Sequence, residues 1–577
     1  MKTGILSLVA VCIVMLLAAC GGSGGGNNNM PTVTVSPATA NVQEGGTQQF
    51  TATVTNTTST AVNWSVNGVA GGNASAGTIS SSGLYTAPDV VPSPASVTIS
   101  AALQSAPSIS GNSIVTVTAV TFSNSSIKGN YIFTLSGIDG NGYSFYAAGA
   151  ITADGNGNIT AGEEDLNDVS SGYFQATSVT GTYSVGADGR GTLNLNSSLG
   201  QFSYAIALRA LSNAGLNEID NQVVNATGNL EQQSTGVTAP SGSYAFGFSG
   251  VSGCGSLSSD GIFNLGSGNV GGLQDANCGG TITQASSVSG SYGSADGFGR
   301  GTGSFTGNSG SADFVYYVVS PNRYRFVCPD SATLFLGAAD LQTQSSFANT
   351  DFTGSYVLNT SGSTQRGVAY ILIQLNASNG SISSGYYDVN DTGVTGQASL
   401  TGAYSLASSG RINGSFTVNS STLPFTVYLS SPTQGYYLDL RTNVIGGGNI
   451  YGQSSGVTSN AAWAGSYATK QFGYFVASNG TIGPLTSTSV SGQISADGNG
   501  TLAGTLDFND PSNIYQGQIL QGSYTVGTTA PGRFTASIST PIDGTRNYVG
   551  YIVSPTRVLL LDSDTGLTAG GDAIRQF

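Results

Sequence analysis

Four carboxylates, Glu163, Glu164, Asp165 and Asp168, fall within the seven residues GEEDLND at 162–168, in a chain of which only 8% is charged. The core of this stretch recurs as Asp275-Ala-Asn277-Cys278, Asp388-Val-Asn390-Asp391 and Asp507-Phe-Asn509-Asp510. Residues of these types can do three kinds of chemistry. Crowded carboxylates can hold a hard cation such as calcium, which wants about six to eight oxygens. Two acids facing each other across a cleft can hydrolyse a glycoside. Asp and Asn can also tie a loop to its own backbone.

Strand parity bears on the choice. The middle residue of the motif is apolar each time (Leu166, Ala276, Val389, Phe508), so it faces a core and the flanking Asp and Asn face outward. A Gly-Arg pair follows in each case, giving Arg190, Arg300, Arg411 and Arg533, four of the twelve arginines. Arg533 points outward because Phe534, Ala536 and Ile538 point in; Ile412, Phe416 and Val418 place Arg411 likewise. In a meander, Asp165 and Arg190 lie at opposite ends of the intervening strand, about 23 Å apart at ~3.3 Å per residue, so they do not pair within one unit. The expected role is therefore structural. Asp and Asn close the loop after the third strand, and Arg donates to turn carbonyls and to Asp188 or Asp296. Glu163 and Asp165 share a face and are weak calcium candidates, with Glu164 on the opposite face. DGNGN at 154–158 resembles half a calcium loop, but no complete loop exists, and DGNG turns of this kind are ordinary hairpin turns.

Histidine is absent, which removes every Ser-His-Asp, Cys-His and His-ligated metal scheme. A formal net charge of −14 is incompatible with gripping a nucleic-acid backbone. No cofactor is expected. Beyond residue 20 the cysteines are Cys254, Cys278 and Cys328; a Cys254–Cys278 disulfide is expected, with Cys328 as the alternative partner. Tyrosine doublets at 316–317, 386–387 and 436–437 place one ring inward and one outward; an outward ring can stack on a sugar, but packing at a strand edge is the expected role.

These residues sit in a repeat. Gly-x-Tyr recurs at Tyr131, Tyr244, Tyr356 and Tyr467, and a second Gly-x-Tyr inside each unit at Tyr183, Tyr292, Tyr404 and Tyr524. The period exceeds that of a solenoid, so each unit is domain-sized and the four are expected as beads on a string. The boundaries are 125–236, 237–346, 347–458 and 459–577. Alternation such as Phe202, Tyr204, Ile206 and Leu208 against Ser203, Ala205 and Ala207 marks strands. In the first unit these fall near 130–136, 144–153, 158–167, 176–186, 190–197, 201–209, 215–220 and 226–232. The fold class is all-β: small antiparallel meander barrels in tandem, with two-sheet sandwiches as the alternative.

The N-terminus carries two resemblances. Lys2, an apolar run from Ile5 to Ala19 and Leu17-Ala18-Ala19-Cys20 resemble a bacterial lipoprotein signal, residues 1–19, with its cleavage box. That resemblance implies lipidation of Cys20 and a membrane partner through the anchor, at an outer membrane or cell surface. GGSGGGNNN then makes residues 20–30 a flexible tether. Residues 31–120, from VSP…GGTQQFTATV to GLYTAP with Trp64 as core plug, resemble a bacterial immunoglobulin-like (Big) domain. That resemblance implies a β-sandwich spacer without catalytic residues. The function expected is non-enzymatic: surface structure, adhesion, or binding of a glycan or matrix ligand. Capture of small ligands inside the barrels is the alternative, and a secreted glycan-active enzyme is a weaker third reading.

Overall fold

The computed structural model describes residues 30–210, 213–220, 225–307 and 310–577. Cys20, the signal segment and most of the tether lie outside the described residues. Apart from three single-turn 3₁₀ segments, all regular structure among the described residues is β. The chain divides into two compact units.

The smaller unit comprises the described residues up to Val42, Thr47–Thr86 and Pro94–Thr116. Its strands form a two-stranded ribbon (Thr32–Ser36 with Thr51–Thr55) and two larger sheets of five and four strands. Trp64 is buried, as are Phe50, Tyr85 and Ile99.

The larger unit contains four closed eight-stranded antiparallel meanders, so the barrel reading holds over the sandwich. Barrel one opens with Lys128–Ile138 and ends with Asn225–Gln232; its fourth strand is broken into Gly172–Ser178 and Thr180–Val185. Barrel two runs from Gly242–Ser252 to Leu334–Leu341, barrel three from Gly354–Thr364 to Val444–Gly452, and barrel four from Ala464–Val476 to Leu567–Arg575. Closure pairs the first strand with the eighth in each barrel.

The alternation read from the sequence fills these barrels. Tyr204, Ile206 and Leu208 join Phe133, Ile151 and Leu216 inside barrel one. Barrel two is packed with Phe246, Phe248, Phe263, Phe314 and Phe326. In barrel four the described cavity is about 20 Å³, room for little more than a water. Capture of a ligand inside the barrels therefore loses its support.

The Gly-x-Tyr signatures tie each barrel together. Tyr183, Tyr404 and Tyr524 donate to the carbonyls of Ile127, Phe352 and Trp463, each at 2.6 Å, and Tyr292 donates to that of Pro240 at 2.7 Å, anchoring the segment that leads into each barrel. The DGNGN stretch is a hairpin turn. Asp154 Oδ1 accepts from the backbone N–H of Asn156 and Asn158 at 2.7 and 3.0 Å, and Gly155 and Gly157 take positive φ there.

The barrels are not beads on a string. Barrel one packs on two, two on three, three on four, and four returns to one, closing a ring. The terminal glutamines repeat this order. Gln233, Gln342 and Gln453 each donate to carbonyls of the next barrel (Val318, Leu429, Ile552), and Gln576, next to the last residue, donates to Asp188 and Leu208 of barrel one.

Candidate functional site

The recurring Asp and Arg do pair, but across barrels. Arg300 of barrel two places Nε 2.7 Å from Asp165 Oδ2 and a second nitrogen 2.9 Å from Oδ1. Arg411 grips Asp275 at 2.6 and 2.9 Å, Arg533 grips Asp388 at 3.0 and 2.7 Å, and Arg190 of barrel one grips Asp507 of barrel four at 3.3 and 2.6 Å. These are two-pronged, charge-assisted contacts, the geometry for which a guanidinium is suited. Each aspartate is nearly or fully buried, at 0–5% side-chain exposure.

Asparagine completes each clasp. Asn167 Nδ2 donates to the carbonyls of Cys328 and Asp330, and Asn277 to those of Asp439, Arg441 and Val444. Asn390 donates to Asp562, Asp564 and Leu567, and Asn509 to Glu218. In three clasps a tyrosine of the next barrel adds a hydrogen bond: Tyr317 to Asp165, Tyr428 to Asp275, Tyr551 to Asp388. Register aligns these tyrosines with Ala207 of barrel one, so Asp507 lacks the equivalent bond.

The outward parity read from the sequence is what the clasps use, and the loop-closing bonds stand beside them: Asn277 and Asn390 accept from the N–H of Gly280 and Gly393 in the turn after the third strand, and Asp165 and Asp275 from Ala176 and Ala285 on the fourth. The expectation is corrected in that the role does not end there. Asp and Asn reach the neighbouring barrel, and the arginines answer acids there rather than their own turn carbonyls. Asp296 and Asp188 bond the backbone N–H of Arg300 and Arg190 at 3.0 Å, although Asp188 also lies 3.7 Å from the Arg190 guanidinium. The calcium reading is corrected for the same reason. Asp165 is occupied by Arg300, Tyr317, Tyr173 and the Ala176 N–H. Burial alone would raise its carboxyl, but Arg300 and the two tyrosines hold it below the usual range. Beside it Glu163 is pushed up to about 7, first by burial and then by Asp296, and Glu164 inside barrel one up to about 6, first by burial. Among the described residues no group of three or more metal-ligating side chains converges. Cys254 and Cys278 form a disulfide, Cα–Cα 5.7 Å, and Cys328 is a buried thiol.

Where the ring closes, it leaves a chamber of about 800 Å³ at its centre, lined by all four barrels. The first, seventh and eighth strands of each barrel supply most of the wall, with Arg209 from a sixth strand and Asp260 and Tyr370 from second strands. Three residues beyond each opening tyrosine stand Thr134, Gly247, Asn359 and Lys470, all lining the chamber. Six of the fifteen lysines and arginines line it: Arg209, Arg323, Arg325, Lys470, Arg557 and Arg575. They face four carboxylates, Glu231, Asp260, Asp340 and Asp572, together with the rings of Tyr370, Tyr436, Tyr451 and Phe472 and several amides.

The chamber rim is linked barrel to barrel. Glu231 of barrel one takes Arg323 and Arg325 of barrel two; Tyr436 of barrel three donates to Asp340 of barrel two at 2.7 Å. Arg557 of barrel four stacks over the Tyr451 ring of barrel three at 4.3 Å, and Arg209 of barrel one meets Asp572 of barrel four at 2.9 Å. Burial would raise Glu231, but Arg325 and Arg323 pull it down to about 2. Two glycines allow the close approach: a Cβ on Gly247 would meet the Tyr436 ring at 2.5 Å, and one on Gly570 the Tyr370 ring at 2.6 Å. Asp260, 2% exposed, has one carboxylate oxygen without a partner, and burial, then Asp275, pushes its carboxyl well above the usual range.

Sequence reasoning found the clasp residues but not the chamber. Its signal was the placement of scarce cations in strand-like apolar runs, as in SPNRYRFV and SPTRVLLL.

No protein-family model and no curated protein sequence matches this chain. Among solved structures it is similar to intact Ap-TbpB with N and C lobes, at 10% identity and TM-score 0.18, over 63% of this chain and 84% of that one. It is similar also to isotype 1 Transferrin binding protein B from serogroup B Neisseria meningitidis, at 10% identity and TM-score 0.18, over 64% and 83%. A double mutant of Transferrin Binding Protein B from Haemophilus parasuis Hp5 gives 11% identity and TM-score 0.17, over 63% and 83%. At such scores the likeness carries no argument, and the chamber is read from its own geometry.

Proposed function

We propose that this chain is a non-enzymatic, lipid-anchored protein of the bacterial outer membrane or cell surface that binds glycans in the chamber at the centre of its barrel ring. The observation that supports this reading is the contrast between packed barrel interiors and one open chamber lined by rings, amides and charges. Aromatic faces and amides are the groups that hold sugar rings and hydroxyls. The recurring carboxylates are each committed to a guanidinium, which leaves them no role as an acid pair. Residues 31–120 serve as an immunoglobulin-like spacer, and Cys20 carries the lipid.

Two experiments test the reading. The mature chain is applied to an array of neutral and acidic glycans, and binding is expected to fall at least tenfold in Tyr451→Ala. Unchanged binding in that variant places the glycan elsewhere. Radiolabelled fatty acid should enter the mature chain and be lost in Cys20→Ser; an unlipidated mature product overturns the anchor.

A further inference from the structure

The charges around the chamber do not balance. Arg209 has Asp572, and Arg323 and Arg325 share Glu231, with Asp340 also on Arg323. Arg575 has Asp89. Two cations remain outside any ion pair among the described residues. Lys470 donates only to the Gly228 carbonyl, at 3.2 Å, and Arg557 rests on the Tyr451 ring. The fourth carboxylate of the lining, Asp260, is nearly fully buried, its carboxyl is pushed up by burial and then by Asp275, and it forms an ion pair with neither. This excess of positive charge lies inside a chain whose formal net charge is −14. A structural role alone does not require Lys470, since the four–one junction already has the Arg209–Asp572 link at the rim.

Lys470 and Arg557 stand on the same outward face of barrel four. Lys470 is in register with Asp572 on the eighth strand, and Arg557 with Ile574 on that strand's other side. Two strand spacings across and two residues along separate their backbones, about 12 Å. Acids held by both would have to be that far apart, which suits an oligosaccharide rather than a single sugar.

Resting on the glycan reading above, we infer that the chamber takes an acidic oligosaccharide, one carboxylate or sulfate seated against Lys470, a second toward Arg557, and a sugar face on the Tyr451 ring. The acid supplies the counter-charge that the ring lacks. The state of Lys470 agrees. Enclosure by protein, and next the repulsion of Arg209, push its amine down to about 7, while part of its surface stays open to the chamber. The charged groups facing it are Arg209 and Arg325 on one sign and Asp572 and Glu231 on the other. The guanidiniums do not titrate, and Glu231 stays ionised. A bound anion favours the ammonium form, so binding takes up a proton above pH 7, and affinity falls as pH rises through that range.

Calorimetric titration of the mature chain tests this with tetragalacturonate, its methyl ester and a κ-carrageenan tetrasaccharide, whose acids are sulfates. At least one acidic probe should bind about tenfold more tightly than the ester. At pH 8, in buffers of different ionisation enthalpy, that binding should consume close to one proton. Lys470→Gln should lose the proton uptake and about tenfold in affinity, with thermal unfolding confirming an intact ring. The uptake in the unmodified chain is informative even if the variant misfolds. Equal binding of ester and acids overturns the inference and leaves the glycan reading standing. Acid binding without proton uptake also overturns it. Failure of all three probes to bind overturns both.

Discussion

Burying an aspartate between two barrels costs desolvation that only a well-seated guanidinium offsets, so removing the guanidinium strands a charge. Asp275 is fully buried and Arg411 is its two-pronged partner, with Tyr428 donating as well. Arg411→Gln should therefore cost about 3 kcal/mol of stability. Arg190→Gln should cost less than half of that, because Asp507 has no tyrosine, is slightly more exposed, and Arg190 divides itself with Asp188. Chemical denaturation of the two variants checks the order; equal costs would mean that the tyrosine adds nothing. At this scale the sequence was half legible. Parity alone put Asp165 and Asn167 on the outer surface, as it did Arg411 and Arg533. It did not show that the outer surface of one barrel is the inner face of a junction, because the partners lie 135 residues apart, in different units.

At the scale of strands, legibility was high. The first-unit expectations of 144–153 and 190–197 correspond to Ser144–Asp154 and Arg190–Ser197, since period-2 alternation between Gly and Asp turns is a local signal. The break in the fourth strand of barrel one was not legible, because an interruption inside a polar run leaves no change of pattern. One position at the end of the seventh strand is solved differently in two barrels. Asp439 of barrel three is met by Arg441 at 2.6 Å, whereas Asp562 of barrel four keeps one oxygen without a partner, and burial pushes its carboxyl up to about 7. A carboxyl whose folded pKa is raised holds its proton after the unfolded chain has released it. It therefore removes stability as pH rises from about 4 to about 7. Asp562→Asn should raise the melting temperature most at pH 8 and by about a third as much at pH 5, which lies about one unit into that window. Scanning calorimetry at the two pH values reads this; equal gains at both would point to packing rather than ionisation.

For the whole molecule, the chain end matters as much as any internal junction. Gln576 ties barrel four to barrel one through two carbonyls, as Gln233, Gln342 and Gln453 tie the others. Gln576→Ala should loosen the four–one junction first, since that clasp already lacks a tyrosine. Hydrogen exchange should rise around Arg190–Ser197 and Thr501–Asp510, while the two–three junction stays protected. Exchange rising evenly around the ring would mean that the junctions open together. Closure into a ring was illegible in the sequence because each repeat carries the same two half-clasps whether or not the last meets the first.

A head-to-tail contact that returns to its start after four steps acts like the interface of a cyclic tetramer written into one polypeptide. Its turning angle sets the copy number. An open array can gain or lose a repeat by duplication at little cost. Here a fifth unit would find no gap, and a third-unit deletion would leave Asp275 and Arg533 facing each other across a junction built for a different number. Repeat number in this architecture is thus fixed by geometry, and individual units are free to diverge in the chamber wall while conserving the clasp.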